Sequence, residues 1–129
     1  MNKIILALAL TLISTCADAA YYFDLGEHGK LTVSKDITSA VIVKNGNEPS
    51  RLKLAQTLQE EIDNGGRPYN LSLYYDESCQ SLKECRKPIL AIKTYNDKKS
   101  GFYIWMTDFE TDKILWQTAL SSSALTMDQ

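Results

Sequence analysis

Three carboxylates alternate near the C-terminal end of the chain, at Asp108, Glu110 and Asp112. This spacing is the one by which a calcium-binding loop supplies its first ligands. Such a loop also needs a glycine at its sixth position and a glutamate at its twelfth. Those positions hold Lys113 and Ala119. The carboxylates therefore indicate a solvated hairpin turn, and the sequence predicts no metal site.

Acyl-transfer chemistry requires a base beside a nucleophile, and the single histidine of this chain is His28. It falls in a Gly-Glu-His-Gly turn between two predicted strands, and the sequence has no Gly-x-Ser-x-Gly motif. A glycine-rich phosphate-binding motif is also missing from the sequence. We expect a solvated loop histidine, no catalytic residue, no cofactor, and a protein that is not an enzyme.

Two cysteines, Cys79 and Cys85, lie in a polar segment, and their spacing differs from the Cys-x-x-Cys of redox and zinc sites. Paired cysteines in an exported protein most often form a disulfide. We therefore predict a Cys79–Cys85 disulfide that closes a short loop.

The N-terminus has the composition of a secretory signal peptide over residues 1–19. Lys3 precedes an apolar run at residues 4–13, and small residues lead to Ala19. The run is too short to span a bilayer comfortably. We expect one α+β domain at residues 20–129, with residues 121–129 as a loose tail. The expected location is the periplasm, and the alternatives are secretion or an outer-membrane lipoprotein.

The segment Ile13-Ser14-Thr15-Cys16 resembles the cleavage box of bacterial lipoproteins, in which the cysteine is acylated. Thr15 stands where Gly, Ala or Ser is usual. Contact with a membrane is accordingly expected only if Cys16 carries a lipid. The chain has 14 basic and 16 acidic residues, and the basic residues form no cluster, so nucleic acid is not an expected partner.

One amphipathic helix is predicted from Arg51 to Asn64. Leu54, Leu58 and Ile62 recur every four residues and would form an apolar stripe. Gly65-Gly66 would end the helix. Strands on either side of it would make a parallel crossover unit. The predicted strands cover residues 21–25, 30–34, 40–44, 69–75 and 88–95.

The segment from Phe102 to Leu120 is predicted to be a hairpin with a tight turn at Glu110–Lys113. In this register Phe109 faces Ile114, and the two strands share an aromatic face. The expected fold class is α+β, with the single helix packed on a four- to five-stranded mixed sheet that ends in this hairpin. The aromatic face is the candidate protein-binding surface, and it carries Tyr103, Trp105, Phe109 and Trp116.

The run from Asp108 to Trp116 resembles the hairpin "D-x-x-T-G-K-x-L-W" of many bacterial envelope proteins. It matches that pattern at Asp108, Thr111, Lys113, Leu115 and Trp116. Asp112 replaces the usual turn glycine. Similar hairpins occur in small periplasmic or lipoprotein domains that serve outer-membrane assembly, such as curli-secretion components and penicillin-binding-protein activators. The resemblance implies a strand–helix–strand unit before the hairpin and no catalytic residue.

These features predict a non-enzymatic periplasmic accessory protein that binds another cell-envelope protein. The contact would use the aromatic face of the hairpin or an open sheet edge. The alternative is an inhibitor or immunity protein that blocks a cell-wall hydrolase or a secreted toxin. In that case the loop from Asp76 to Lys87, with Glu77 and Glu84, would insert into the target.

Overall fold

A computed structural model describes residues 20–95, 101–121 and 126–127, which form a single antiparallel sheet. The order of strands in the sheet is β8-β7-β6-β5-β4-β3-β2-β1-β9, so nearly every strand pairs with its neighbour in sequence. A short 3-10 turn, Gly26–His28, joins the first two strands. The strands are β1 Ala20–Asp24, β2 Lys30–Ser34, β3 Ser39–Val43, β4 Ser50–Ile62, β5 Pro68–Asp76, β6 Ile89–Tyr95, β7 Phe102–Thr107, β8 Ile114–Leu120 and β9 Thr126–Met127.

The sheet curls strongly, so that β1 and β7, each next to an edge strand, approach each other. Phe23 on β1 and Phe102 on β7 lie six strand-to-strand steps apart in the sheet. In a flat sheet, six spacings of about 4.8 Å would separate them by roughly 29 Å. Their ring centroids are only 5.0 Å apart, in an edge-to-face arrangement. The inside of the curl therefore forms an enclosed core, while the outside faces away from it.

The core consists of apolar side chains on the inner face of seven strands and one turn. Leu31, Leu90 and Ile104 are fully buried, and so is the ring of Tyr74. The other buried members of the cluster are Phe23, Leu25, Val33, Ala40, Ile42, Leu52 and Ile92. The strands predicted at residues 21–25 and 30–34 are confirmed and pair as a hairpin, and Phe23 and Leu25 are buried on its inner side.

The predicted α+β fold is wrong, because no α-helix occurs in residues 20–95, 101–121 or 126–127. Residues assigned to the helix, Arg51–Asn64, instead form most of β4, which pairs with β3 and with β5. Both pairings are antiparallel, so the predicted crossover unit is also absent from this part of the chain. Gly65-Gly66 lies in the turn of the β4–β5 hairpin, where Asp63 Oδ1 accepts hydrogen bonds from the amides of Gly65 and Arg67.

Two irregularities interrupt the pairing of β4, the 13-residue strand Ser50–Ile62. The pairing with β5 shifts between Leu54 and Gln56 and again between Leu58 and Glu61. Glu60, in the second shift, has a φ of 56°, and its amide donates to Asn70 Oδ1 at 2.9 Å. A bulge adds an unpaired residue and increases local twist. These bulges accordingly help the sheet to curl.

The strands predicted at residues 40–44, 69–75, 88–95 and in the C-terminal hairpin are confirmed within a few residues. The predicted signal peptide and Cys16 lie outside the described residues. β9 falls within the segment predicted to be a tail and pairs with β1. The part of the chain that the structure describes contains no helix with the length and apolar character needed to cross a bilayer.

Candidate functional site

The four aromatic residues predicted to share one face are divided between three places. Tyr103 and Trp105 lie on the outer face of β7, whereas Trp116 lies inside the curl. Phe109 lies in the β7–β8 turn, where the Arg86 guanidinium is 4.8 Å from its ring centroid. The predicted common aromatic face is therefore wrong.

A slip of one residue in the hairpin register causes this division. Met106, not Thr107, faces Trp116, and Trp105 faces Gln117 instead of Thr118. Because strand side chains alternate, a slip of one residue moves a whole strand's set of side chains to the other face. The change of face arises at a bulge in the pairing: Met106 faces Trp116 and Thr107 faces Ile114, so Leu115 is an extra residue on β8. The turn beyond it is held by Thr111, which donates both its amide and its hydroxyl to the Asp108 carboxylate.

Trp116 closes one end of the curl by stacking on His28. Their ring centroids are 4.6 Å apart and their planes differ by 12°. The side chain of His28 is 24% exposed. His28 lies in the turn as predicted, but its imidazole is only partly solvated, because the indole covers one of its faces.

The outer face of β5, β6 and β7 carries a continuous set of large side chains, here called the outer patch. Asn70, Ser72 and Tyr74 point into the curl, so the residues that alternate with them on β5 point outward. Cross-strand pairing extends this set: Leu73 faces Ala91, which faces Trp105. The members of the outer patch are Tyr69, Leu71, Leu73, Tyr95, Tyr103 and Trp105.

Three tyrosines of the outer patch form a connected row with cations between them. The rings of Tyr69 and Tyr95 are 6.1 Å apart, and those of Tyr95 and Tyr103 are 5.8 Å apart, both edge-to-face. Lys93 Nζ lies 4.3 Å from the Tyr69 ring and 4.8 Å from the Tyr95 ring. The Arg67 guanidinium lies 3.9 Å from the Tyr95 ring. The cations are attracted to the ring faces, and each contact is worth about 0.5–1 kcal/mol at an exposed site.

Asp63 fixes one end of this row. Its Oδ2 accepts a 2.8 Å hydrogen bond from the Tyr95 hydroxyl, and its Oδ1 accepts the amides of the turn. The amide of Arg67, followed by the Tyr95 hydroxyl, holds the pKa of Asp63 below its ordinary value. The carboxylate therefore orders both the β4–β5 turn and the aromatic ring beside it.

All nine described strands belong to one sheet, so no second sheet and no helix of residues 20–95, 101–121 and 126–127 packs over the outer patch. Within the same face, Ala91 and Tyr75 are buried among their neighbours. Tyr103 is 38% exposed, and Leu58, which faces Leu71 on the same side, is 36% exposed. The patch continues toward β8, where Ile114 and Leu115 are 54% and 53% exposed. Large apolar surface of this kind marks interaction sites in soluble proteins.

A second surface feature is the disulfide loop between β5 and β6. The predicted Cys79–Cys85 disulfide is confirmed, with 5.2 Å between the Cα atoms, and Cys85 is buried. Asp76 accepts from the Ser78 amide at 2.9 Å and lies 3.8 Å from Lys87 Nζ. Hydrogen bonds from Ser78 lower the pKa of Asp76. The base of the loop is thus held by a covalent bond and by charge-assisted contacts.

Sequence reasoning missed Tyr69, Tyr95, Lys93 and Arg67 as surface residues. Their strands were recognised, but alternation alone does not tell which of the two faces is the core. The sequence did not indicate which face of the sheet the predicted helix would cover. Within the described residues, no three His, Cys, Asp or Glu side chains come together as metal ligands.

Comparisons of the chain with protein-family models, with curated proteins and with solved structures find no match.

Proposed function

We propose that this chain is a non-enzymatic accessory protein of the bacterial cell envelope that binds another envelope protein through the outer patch. The observation that carries the proposal is the connected row of Tyr69, Tyr95 and Tyr103 on the outside of the sheet, where Tyr103 is exposed and the other two rings are half-buried. Tyrosine and tryptophan are enriched at protein interfaces, because they combine large apolar area with a polar group. The Cys79–Cys85 disulfide is compatible with an oxidising compartment such as the periplasm.

The charges on the outer patch suggest the chemistry of the partner. The chain as a whole has a net charge of −2, yet the cations Lys93 and Arg67 lie on the tyrosine rings. Asp63, the nearby anion, accepts from Tyr95 and also interacts with Lys93. A partner segment that carries apolar side chains and carboxylates would contact the rings and add to the negative charge around Lys93. Salt would weaken such binding, because exposed charge pairs are screened.

The edge of β8 offers a second contact for the same partner. Among the described strands, β8 pairs only with β7, and its sequence ILWQTAL contains neither proline nor a charged residue. Edge strands are normally protected by such residues, and an unprotected edge can accept an added strand. A partner strand on β8 would lie beside Tyr103 and Trp105 of the outer patch.

Site-specific crosslinking in the native envelope tests the proposal. The photoreactive residue p-benzoylphenylalanine replaces Tyr103 in one variant and Val43 in another. Val43 is the matched control because it is 46% exposed on the outer side of β3, outside the patch. We expect one discrete adduct, identified by mass spectrometry, from position 103 and none from position 43. Equal or absent adducts at the two positions would contradict the proposal.

Charge-introducing variants supply an independent measurement. Trp105→Asp and Lys93→Glu should reduce co-purification of the crosslinked partner at least tenfold, while circular dichroism keeps the wild-type spectrum. Val43→Asp should retain the partner. If Trp105→Asp keeps a native spectrum and still co-purifies with the partner, the partner binds a surface other than the outer patch.

An inhibitor of a cell-wall hydrolase is a second candidate, and the fixed disulfide loop is the observation that favours it. Rigid loops lose little conformational freedom on binding, which is how preorganised inhibitors gain affinity. Asp76 is committed to the loop itself, so Glu77 and Glu84, both exposed, would contact the target. Activity assays with a panel of lysozymes and amidases test it. An absence of inhibition at micromolar concentration would count against this candidate.

A further inference from the structure

The inside of the curl contains a cavity of about 340 Å³, here called the inner cavity. Its apolar wall includes Phe23, Val33, Ile92 and Phe102, which belong to the core or pack against it. The cavity lies at the end of the curl opposite the His28–Trp116 stack. Its volume falls at the lower end of the range of about 300–1,000 Å³ that small-molecule pockets occupy.

The other wall of the inner cavity is polar, which a simple core would not require. Thr57 and Gln59 on β4 and Asn70, Ser72 and Thr94 on β5 and β6 line it together. They form a continuous band, because Thr57 pairs with Ser72 and Asn70 pairs with Thr94.

Around this band the usual pattern of a sheet is reversed. On β5 the polar Asn70 and Ser72 point inward, while the apolar Leu71 and Leu73 point outward. A strand that only had to fill a core would place its apolar residues inside. The reversal therefore indicates that the inner band has a role other than packing.

The polar band retains hydrogen-bonding capacity. The Thr57 and Ser72 hydroxyl oxygens are 3.4 Å apart, and a hydroxyl can donate once and accept twice. The Asn70 carbonyl oxygen accepts from the Glu60 amide, which leaves the Asn70 NH₂ group as a donor. A bound hydroxyl, carbonyl or amide group would find both donors and acceptors on this wall.

The lining of the inner cavity includes no Asp, Glu, Lys, Arg or His among the described residues. A charged group placed there would lose its hydration without gaining a counter-ion, which is costly. The lining thus favours an uncharged ligand over a fatty acid, a phosphate ester or an ammonium compound.

From the reversed band and the uncharged lining, we propose that the inner cavity binds a small, uncharged, amphipathic molecule. The apolar part of the ligand would contact Phe23 and Ile92. Its hydroxyl, carbonyl or amide group would bind Thr57, Ser72 and Asn70. This site lies on the face of the sheet opposite the outer patch, so it does not depend on the protein contact proposed above.

Two dyes of nearly the same shape test the proposal with the purified chain. N-phenyl-1-naphthylamine is uncharged, and 1-anilinonaphthalene-8-sulfonate has the same ring system with a sulfonate. Fluorescence titration should give saturable binding of the uncharged dye, at least tenfold tighter than binding of the sulfonate. Lack of saturable binding, or equal affinities for the two dyes, would overturn the proposal.

Three variants locate the binding. Ser72→Leu fills the cavity with an apolar side chain and should weaken binding of the uncharged dye at least tenfold. The thermal midpoint of this variant should be unchanged or raised. If Ser72→Leu does not fold, Thr57→Val serves instead, because it removes one hydroxyl at nearly constant volume. It should weaken severalfold the binding of a long-chain alcohol, measured by competition with the dye. Tyr103→Ser, on the outer patch, should leave the binding of the dye and of the alcohol unchanged. Loss of dye binding in Tyr103→Ser with retention in the inner variants would assign the signal to the outer surface and refute the site.

Discussion

The hydroxyl of Tyr74 donates a 2.8 Å hydrogen bond to the carbonyl oxygen of Ile37, joining β5 to the β2–β3 turn across the interior of the curl. Ile37 has a φ of 60°, which is unusual for a β-branched residue. Its amide also donates to the Ser34 carbonyl at 2.8 Å. The strained turn is therefore held from both sides, and it places the Ile37 side chain against the inner cavity.

Replacing Tyr74 with phenylalanine should remove this bond while keeping the buried ring. We expect Tyr74→Phe to lower the free energy of unfolding by about 1–2 kcal/mol, since the Ile37 carbonyl loses its partner. Urea denaturation at neutral pH measures the loss. An unchanged midpoint would show that the turn keeps its conformation without the bond.

The same residue makes the stability of the fold depend on pH in alkali. Burial raises the pKa of Tyr74 from 10.0 to about 12. Below pH 10 the phenol is neutral in both states and its contribution is complete. Between those two pKa values only the unfolded chain ionises it, so stability falls as the pH rises. Urea midpoints at about pH 9 and about pH 11 should therefore differ less in Tyr74→Phe than in Tyr103→Phe, which retains Tyr74.

The stacked pair of His28 and Trp116 should stabilise the closed end of the curl. We expect Trp116→Ala to lower the free energy of unfolding by about 2–3 kcal/mol. This is less than the loss expected at a fully buried tryptophan, because the Trp116 side chain is only half-buried. A double-mutant cycle with His28→Ala should give a coupling energy of about 0.5–1.5 kcal/mol. Trp105→Ala, on the outer patch, is the comparison and should couple to His28 by less than about 0.3 kcal/mol, as expected for distant sites. Additive losses for His28 and Trp116 would show that the stack contributes nothing.

Acid should weaken the fold through carboxylates that accept hydrogen bonds in turns. The pKa values of Asp36, Asp63 and Asp76 all lie below the ordinary 3.8, chiefly because Ser34, the Arg67 amide and Ser78 donate to them. Their contribution is present above pH 3.8 and is lost as the pH falls through the lowered folded-state values. We expect the urea midpoint of Asp63→Asn to fall less between about pH 5 and about pH 3 than that of the wild type. Equal falls would exclude Asp63 as a source of the acid sensitivity.

The sequence predicted most strands and the disulfide, but it could not distinguish the longest strand from a helix. Leu54, Leu58 and Ile62 are spaced by four residues, and four is close to one helical turn and also a multiple of the strand period. The bulge between Leu54 and Gln56 then changes the alternation, so that Leu54 packs against the core while Leu58 is exposed on the outside. Pairing with both neighbouring strands overrides the helix propensity of this segment.

The candidate site was less predictable than the strands. Alternation on β5 separates Asn70 and Ser72 from Leu71 and Leu73, but it does not say which pair faces the core. The direction of the curl decides this, and it depends on contacts between residues far apart in sequence, such as Phe23 and Phe102. The hairpin register failed for a local reason, namely the bulge that places Leu115 as an extra residue on β8 between the Met106–Trp116 and Thr107–Ile114 pairs.

The turn glycine that Asp112 replaces gives a further prediction. Asp112 has a φ of 61°, a left-handed conformation that costs an ordinary residue about 1–2 kcal/mol and a glycine almost nothing. Aspartate tolerates this region better than most residues, so we expect Asp112→Gly to raise the free energy of unfolding by no more than about 1 kcal/mol. Glu110→Gly, in the same turn but without a positive φ, is the control and should be neutral or destabilising. Thermal denaturation measures the stability of both variants. An increase in stability in both would mean that the effect of glycine does not depend on the positive φ.

Two glycines with nearly the same backbone conformation separate strain from crowding. Gly66 and Gly101 have φ values of 80° and 76°, but only Gly101 lies against another strand. A Cβ atom at position 101 would overlap the Leu120 carbonyl oxygen and lie 2.9 Å from the Ser121 Cα, whereas one at position 66 meets nothing within 4 Å. Both alanine variants should lose about 1 kcal/mol to the left-handed backbone, and Gly101→Ala should lose about 1–3 kcal/mol more through the overlap. Because that overlap forces β7 and β8 apart beside the Phe102–Leu120 pair, Gly101→Ala should also expose the amides of β8 to faster hydrogen exchange. Equal stability losses and unchanged exchange would show that the end of β8 can move away without cost.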